Sequence, residues 1–186
     1  MCLIFDSDEQ LQQIVTQFMA AGLRGGEIVR YAVDRTTPEQ VRAWILETGV
    51  ELPENAPLNI SQAENTYCPQ GRFDPHETIS GMTPRYEKAR QAGYPGMRSC
   101  GEMSWALRDI PGSDRFLEYE ALINTVTSDF PFTGMCLYDA RLFSGNTLFK
   151  VLQVHPYMIA QGQVVRNPFY LRPEEFLKGG PAQAEP

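Results

Sequence analysis

Segments of strand character and segments of helix character alternate along almost the whole 186-residue chain, and no other feature constrains its fold as tightly. Cys2-Leu-Ile-Phe5 is a short apolar strand. Ser7-Asp-Glu-Gln10 follows in the form of a capping box, with Ser7 as N-cap and Gln10 reaching back. The helix it starts places Leu11, Ile14, Val15, Phe18, Met19, Gly22 and Leu23 on one face at the helical period, and Gly25-Gly26 stops it. Glu27 to Asp34 reads as a second strand. Thr37-Pro-Glu-Gln40 is another capping box, with Pro38 at the favoured first helical position. Its helix carries Val41, Trp44 and Ile45 and ends at Gly49.

The same rhythm continues. Leu58 to Ile60 is a weaker strand, followed by the polar stretch Ser61 to Tyr67. Asp74-Pro-His-Glu77 opens a helix running toward Gly93, with a break expected where Gly81 and Pro84 fall inside it. Met97 to Ser104 is the fourth strand, Arg108 to Gly112 a turn, and Ser113 begins a helix through Leu117, Ala121 and Val126. Phe132 to Tyr138 is the fifth strand, and a helix from about Gly145 to Val154 follows. Tyr157 to Gln161 then turns at Gly162-Gln163 into Val164-Val165. From Lys178 the chain is linker-like, so residues 1–177 are expected to form one domain and 178–186 a flexible tail. Alternation of this kind predicts an α/β fold: a three-layer, mostly parallel central sheet with helices on both faces, closed by a C-terminal antiparallel hairpin.

Composition narrows the function classes. With 42% hydrophobic and 21% charged residues, the chain has the makings of a packed core. The net charge of −7, without any lysine or arginine cluster, disfavours direct contact with nucleic acid, although a separate DNA-binding module is compatible with it. No apolar run approaches the roughly 20 residues that span a bilayer, and the N-terminus lacks the basic region of a signal peptide. A cytoplasmic chain that avoids membranes is expected. The four cysteines show no CxxC spacing and read as reduced thiols. Only two histidines are present, neither at ligand spacing from a cysteine, so no metal is expected and no cofactor is indicated. No Ser/His/Asp or Cys/His signature supports nucleophilic catalysis, and the chain does not read as an enzyme.

Right-handed crossovers bring the carboxyl ends of parallel strands to one edge, where ligands of such sheets bind. The residues gathered there are Asp6 and Ser7, Asp34 and Arg35, Glu102 with Ser104 and Trp105, and Tyr138, Asp139 and Arg141. They predict an acidic, aromatic cleft formed by Phe5, Asp34, Glu102, Trp105, Tyr138 and Asp139, with Asp6, Tyr119 and His155 as further candidate ligand contacts. Asp8 and Glu9 fill the first helical turn, where they would repel a phosphate, and nothing matches GxxxxGK[ST]. Each candidate has a plainer alternative. Glu102 either faces the cleft or holds the loop through Arg98, Arg108 or a backbone donor. Trp105 and Tyr119 suit packing as well as a ligand wall. His155 suits a helix cap, and Cys100 and Cys136 read as small buried hydrophobes.

At these residues a resemblance emerges. The run from Gly101-Glu-Met-Ser-Trp105 to Gly112, then Leu117-Glu-Tyr-Glu120, resembles the MEDS family, the methanogen/methylotroph, DcmR sensory domains. Gly71-Arg-Phe-Asp74, Gly93-Tyr-Pro-Gly96, Cys136-Leu-Tyr-Asp139, His155-Pro156 and Asn167-Pro-Phe-Tyr170 support it. The family is similar to the RecA/KaiC-like ATPase core, with Phe5 to Gln10 in place of the phosphate loop and Cys100-Gly-Glu102 near the Walker B position. The resemblance implies a signal-sensing module that binds small hydrocarbon derivatives and serves an output such as a histidine kinase or DNA-binding domain. A loop or a homodimer interface would carry the signal. Many relatives have a histidine in the first strand region where this chain has Cys2-Leu-Ile-Phe5, so no role of that histidine transfers. Two other readings remain open: a degenerate nucleotide-binding domain, and an interaction module whose cleft is vestigial.

Overall fold

A computed structural model describes residues 1–126 and 131–179. Its seven-stranded sheet has the order β3-β2-β4-β5-β1-β6-β7. The strands are β1 (Cys2–Phe5), β2 (Ile28–Val33), β3 (Leu58–Gln62), β4 (Met97–Glu102), β5 (Phe132–Asp139), β6 (Tyr157–Ala160) and β7 (Gln163–Arg166). Every pairing from β3 to β6 is parallel, and only the β6–β7 hairpin is antiparallel. The three-layer α/β architecture read from the alternation is therefore the one observed. The helices are α1 (Asp8–Arg24), α2 (Pro38–Leu46), α3 (Ala63–Tyr67), α4 (Pro75–Ser80), α5 (Met82–Gln91), α6 (Phe116–Leu122), α7 (Gly145–Val154) and α8 (Pro173–Leu177).

Local chemistry fixes most boundaries. Thr37 and Gln40 form the reciprocal box, their side chains accepting from the Gln40 and Thr37 amides. Ser7 accepts from the Gln10 amide, but Gln10 Oε1 reaches one residue further back, to the Asp6 amide. The break foreseen near Gly81 divides α4 from α5, and Pro84 lies in the first turn of α5, where no intrahelical donor is needed. Elsewhere the boundaries move. β3 runs on to Gln62 and the polar stretch after it coils into α3, buried at Ala63 and Tyr67. β4 ends at Glu102, because residues 104–107 form a 3₁₀ turn. The helix expected from Ser113 begins as 3₁₀ and becomes α6 only at Phe116. The hairpin turns at Gln161-Gly162 instead of Gly162-Gln163, with φ of 50° and 75°, the left-handed pair that suits a tight turn. Of the expected tail, residues 180–186 lie outside the described residues.

Strand alternation sorts most of the interior into two cores, with a smaller cluster of Met82, Tyr86, Ala89 and Met97 at α5. On the side of α1 and α2, Leu3, Phe5, Val29, Tyr31, Val33, Met135 and Leu137 pack with the apolar face of α1. On the other side, Tyr67, Phe73, Trp105, Phe116, Tyr119, Tyr138 and Phe143 form an aromatic core with Val151. Close approach decides two glycines there. A Cβ at Gly101 would lie 2.3 Å from Tyr67 Oη, and one at Gly112, where φ is +85°, would lie 2.2 Å from the Phe73 carbonyl oxygen. Among the described residues no helix is long and apolar enough to cross a membrane.

Candidate functional site

The carboxyl ends of β1, β2, β4 and β5 surround a cavity of about 410 Å³, within the ordinary size range of small-molecule sites. Phe5, Leu11, Trp44, Leu137 and Leu142 supply its apolar wall, and Arg35, Thr36, Gln40, Glu102, Ser104, Asp139 and Arg141 its polar groups.

Glu102 is 3% exposed, and the β2–α2 loop is built on it. Its two carboxylate oxygens accept five hydrogen bonds, from Tyr31 Oη, from the amides of Asp34, Arg35 and Thr36, and from Thr36 Oγ1. The Tyr31 bond is 2.8 Å and that from the Asp34 amide 3.0 Å. A buried carboxylate needs such a donor set, and this one needs no cation. Of the alternatives for Glu102, loop support through backbone donors is present. The same residue lines the cavity.

Asp139 and Arg141 form the second polar wall. Arg141 Nε and Nη2 donate to Asp139 at 2.8 and 2.7 Å, and Nη2 also reaches Asp8 in the first turn of α1 at 2.6 Å. Hydrogen bonding from Arg141 outweighs burial and holds the Asp139 carboxyl below the usual carboxylate range. The helix N-terminus that greets phosphate in nucleotide-binding sheets therefore already carries Asp8 and Glu9, with Arg141 tied between two carboxylates. Arg35 differs: among the described residues no carboxylate lies within ion-pair distance of it.

The expected site residues divide. Phe5, Glu102 and Asp139 meet in the cavity. Asp6 is exposed beside it. Asp34 turns away, held by Ser104 Oγ at 2.5 Å and by Arg108, which also pairs with Glu64. Trp105 is fully buried in the aromatic core, stacked on Tyr67 at 4.9 Å. Tyr119 stands edge-on to Tyr67 and Phe73 in that core. Tyr138 lies between Phe143 and His155, and His155 is buried against Glu120. The physical reason is alternation: Leu137 and Asp139 face the cavity, so Tyr138 between them faces the opposite core. Gln40 and Trp44, one helical turn apart on α2, complete the cavity without having been foreseen. Their i, i+4 spacing was the available signal.

Sheet and edge together define an α/β domain with a ligand-sized hollow at its carboxyl edge and no phosphate loop. Comparison with known proteins makes this specific. The chain belongs to the MEDS family, the methanogen/methylotroph, DcmR sensory domain, whose model matches residues 1–156. It is 25% identical over 155 residues to the transcriptional repressor DcmR of Methylorubrum extorquens, a match covering 83% of this chain and 57% of the repressor. The chain thus corresponds to little more than half of that regulator. Its fold is similar to that of an uncharacterized protein of Pyrococcus horikoshii, crystallised with an unknown peptide. The TM-score is 0.62 at 13% identity, covering 88% of this chain and 80% of that one.

Proposed function

We propose that this chain is the sensing part of a transcription regulator, that it takes a small, mainly apolar organic molecule such as a hydrocarbon derivative into the carboxyl-edge cavity, and that a DNA-binding output reads the result. One observation carries this reading. The cavity has an apolar wall, and most of its charge is already satisfied internally, Glu102 by loop donors and Asp139 with Asp8 by Arg141. Such a lining suits a weakly polar guest better than a triphosphate. Arg35 and Gln40 remain on the wall to orient a polar end. Family membership and the likeness to a repressor support the regulatory role.

In this reading the chain performs no chemistry on its guest. The response comes from the β2–α2 loop, which contributes Arg35 and Thr36 to the wall while hanging from Glu102. A guest that fits better with one loop position than another shifts the balance between them. The same proposal assigns the chain to the cytoplasm, and its four unpaired cysteines, which suit a reducing compartment, support that part of it.

The two tryptophans give a direct test, because Trp44 lines the cavity while Trp105 lies in the far core. Titration with a panel of small, weakly polar hydrocarbon derivatives of graded size should raise the melting temperature and change Trp44 emission, a change lost in Trp44→Phe. Silence across the panel, or stabilisation by magnesium ATP alone, would overturn the proposal, the latter in favour of a degenerate nucleotide site.

A further inference from the structure

On the opposite side of the sheet, three ligand-type side chains from three elements converge in the protein interior. Glu120 comes from α6, Cys136 from β5 and His155 from the C-terminal cap of α7. One ligand atom from each lies within 4.8 Å of the other two. Glu120 Oε2 is 3.2 Å from His155 Nε2 and 3.1 Å from Cys136 Sγ.

The histidine tautomer is set locally. Nδ1 lies 2.8 Å from the Val151 carbonyl oxygen, which can only accept, so Nδ1 carries the proton. That leaves the Nε2 lone pair aimed at a carboxylate, an arrangement that requires a positive charge between them. A backbone carbonyl on the far nitrogen is also the usual outer-shell support of a metal-bound histidine. Glu120 is fully buried, Oε1 has no hydrogen-bond partner, and no lysine or arginine pairs with it among the described residues.

We propose that Glu120, Cys136 and His155 form a binding site for one divalent, thiol-preferring metal ion of the zinc type, separate from the carboxyl-edge cavity. A thiolate, an imidazole and a carboxylate are ligands such an ion accepts together. Bonds of about 2.0–2.3 Å in tetrahedral geometry put ligand atoms roughly 3.3–3.6 Å apart; the two Glu120 contacts, at 3.2 and 3.1 Å, would widen slightly, and Cys136 and His155 lie within 4.8 Å of each other. One thiolate and one carboxylate also balance a charge of two in a place where net charge is costly. Cys136 also lines a small cavity of about 70 Å³ beside α5, together with Tyr67, Tyr119 and Tyr86. Sequence spacing conceals this site, because its ligands stand 16 and 19 residues apart.

The test uses the full chain, reduced, stripped with a chelator and titrated with cobalt(II). One equivalent should bring a thiolate-to-cobalt charge-transfer band and tetrahedral visible bands, both erased by zinc. Glu120→Gln and His155→Ala, checked for folding by circular dichroism, should each weaken zinc competition at least about tenfold. Cys136→Ser should abolish the band. Should that variant not fold, the cysteine is identified by elimination, since Cys2→Ser, Cys68→Ser and Cys100→Ser should all keep it. A wild-type chain without the band, or its loss in any of those three, would overturn the proposal. The first outcome would mean that a proton alone bridges Glu120 and His155.

Discussion

The two faces of the sheet solve opposite problems with the same strands. On the α1–α2 face the core is mainly aliphatic, and its polar groups lie toward its ends: the Arg98–Glu27 pair beneath α1, and the cavity at the carboxyl edge, which a guest can reach. On the α6–α7 face the core is aromatic, and ionisable groups lie inside it: Glu120 and His155 are almost completely hidden. The difference shows where adaptability resides. The exposed side chains of the open edge, Arg35, Gln40 and Arg141, can alter their contacts at small cost, whereas Glu120 and His155, enclosed on every side, must keep their partners. A sensing cavity belongs on the first and a rigid support on the second.

The sharpest way to break this contrast is to cut into the rigid face. Trp105→Ala should cost about 3–5 kcal/mol in denaturant unfolding, because the indole stacks on Tyr67 and touches Phe73 with no exposed surface. Guest affinity per folded molecule should stay close to wild type, measured by calorimetry below the unfolding transition.

Glu102→Ala strikes the open face at its joint and should cost about 3 kcal/mol by the same measurement, since it strands several buried donors at once. Here binding should fall along with stability, which separates the two faces. Asp139→Asn should cost about 1–2 kcal/mol at neutral pH. The sign follows from the lowered carboxyl: its contribution is complete above the ordinary aspartate value near 3.9 and is lost as pH falls through the folded value. The acid limb of a stability-against-pH curve should therefore flatten in the variant. Thr37→Ala, which removes one half of the cap on α2, should cost about 1 kcal/mol in thermal unfolding.

The fold was legible because its punctuation is local. Capping boxes, the Gly25-Gly26 stop and the break at Gly81 need only neighbouring residues to be read. α3 and α8, five residues each, were not legible, since helices that short are held by what they pack against. The site was half legible. Strand ends locate the edge, and Phe5, Glu102 and Asp139 are there. Which end residues face it depends on parity within each strand, and neglecting parity sent Tyr138 to the wrong side. The Glu120–Cys136–His155 grouping depends on topology alone, and no spacing along the chain announces it.

Strand β5 acts as a partition between the two faces. Cys136 and Tyr138 serve one chamber, Leu137 and Asp139 the other, one position out of step. A slip of a single residue against β1 or β4 would drive a carboxylate into the aromatic interior and a phenol into the hollow, spoiling both chambers together. Neither chamber can be re-engineered by sliding this wall; only exchanges made in place, one side chain at a time, leave the other intact.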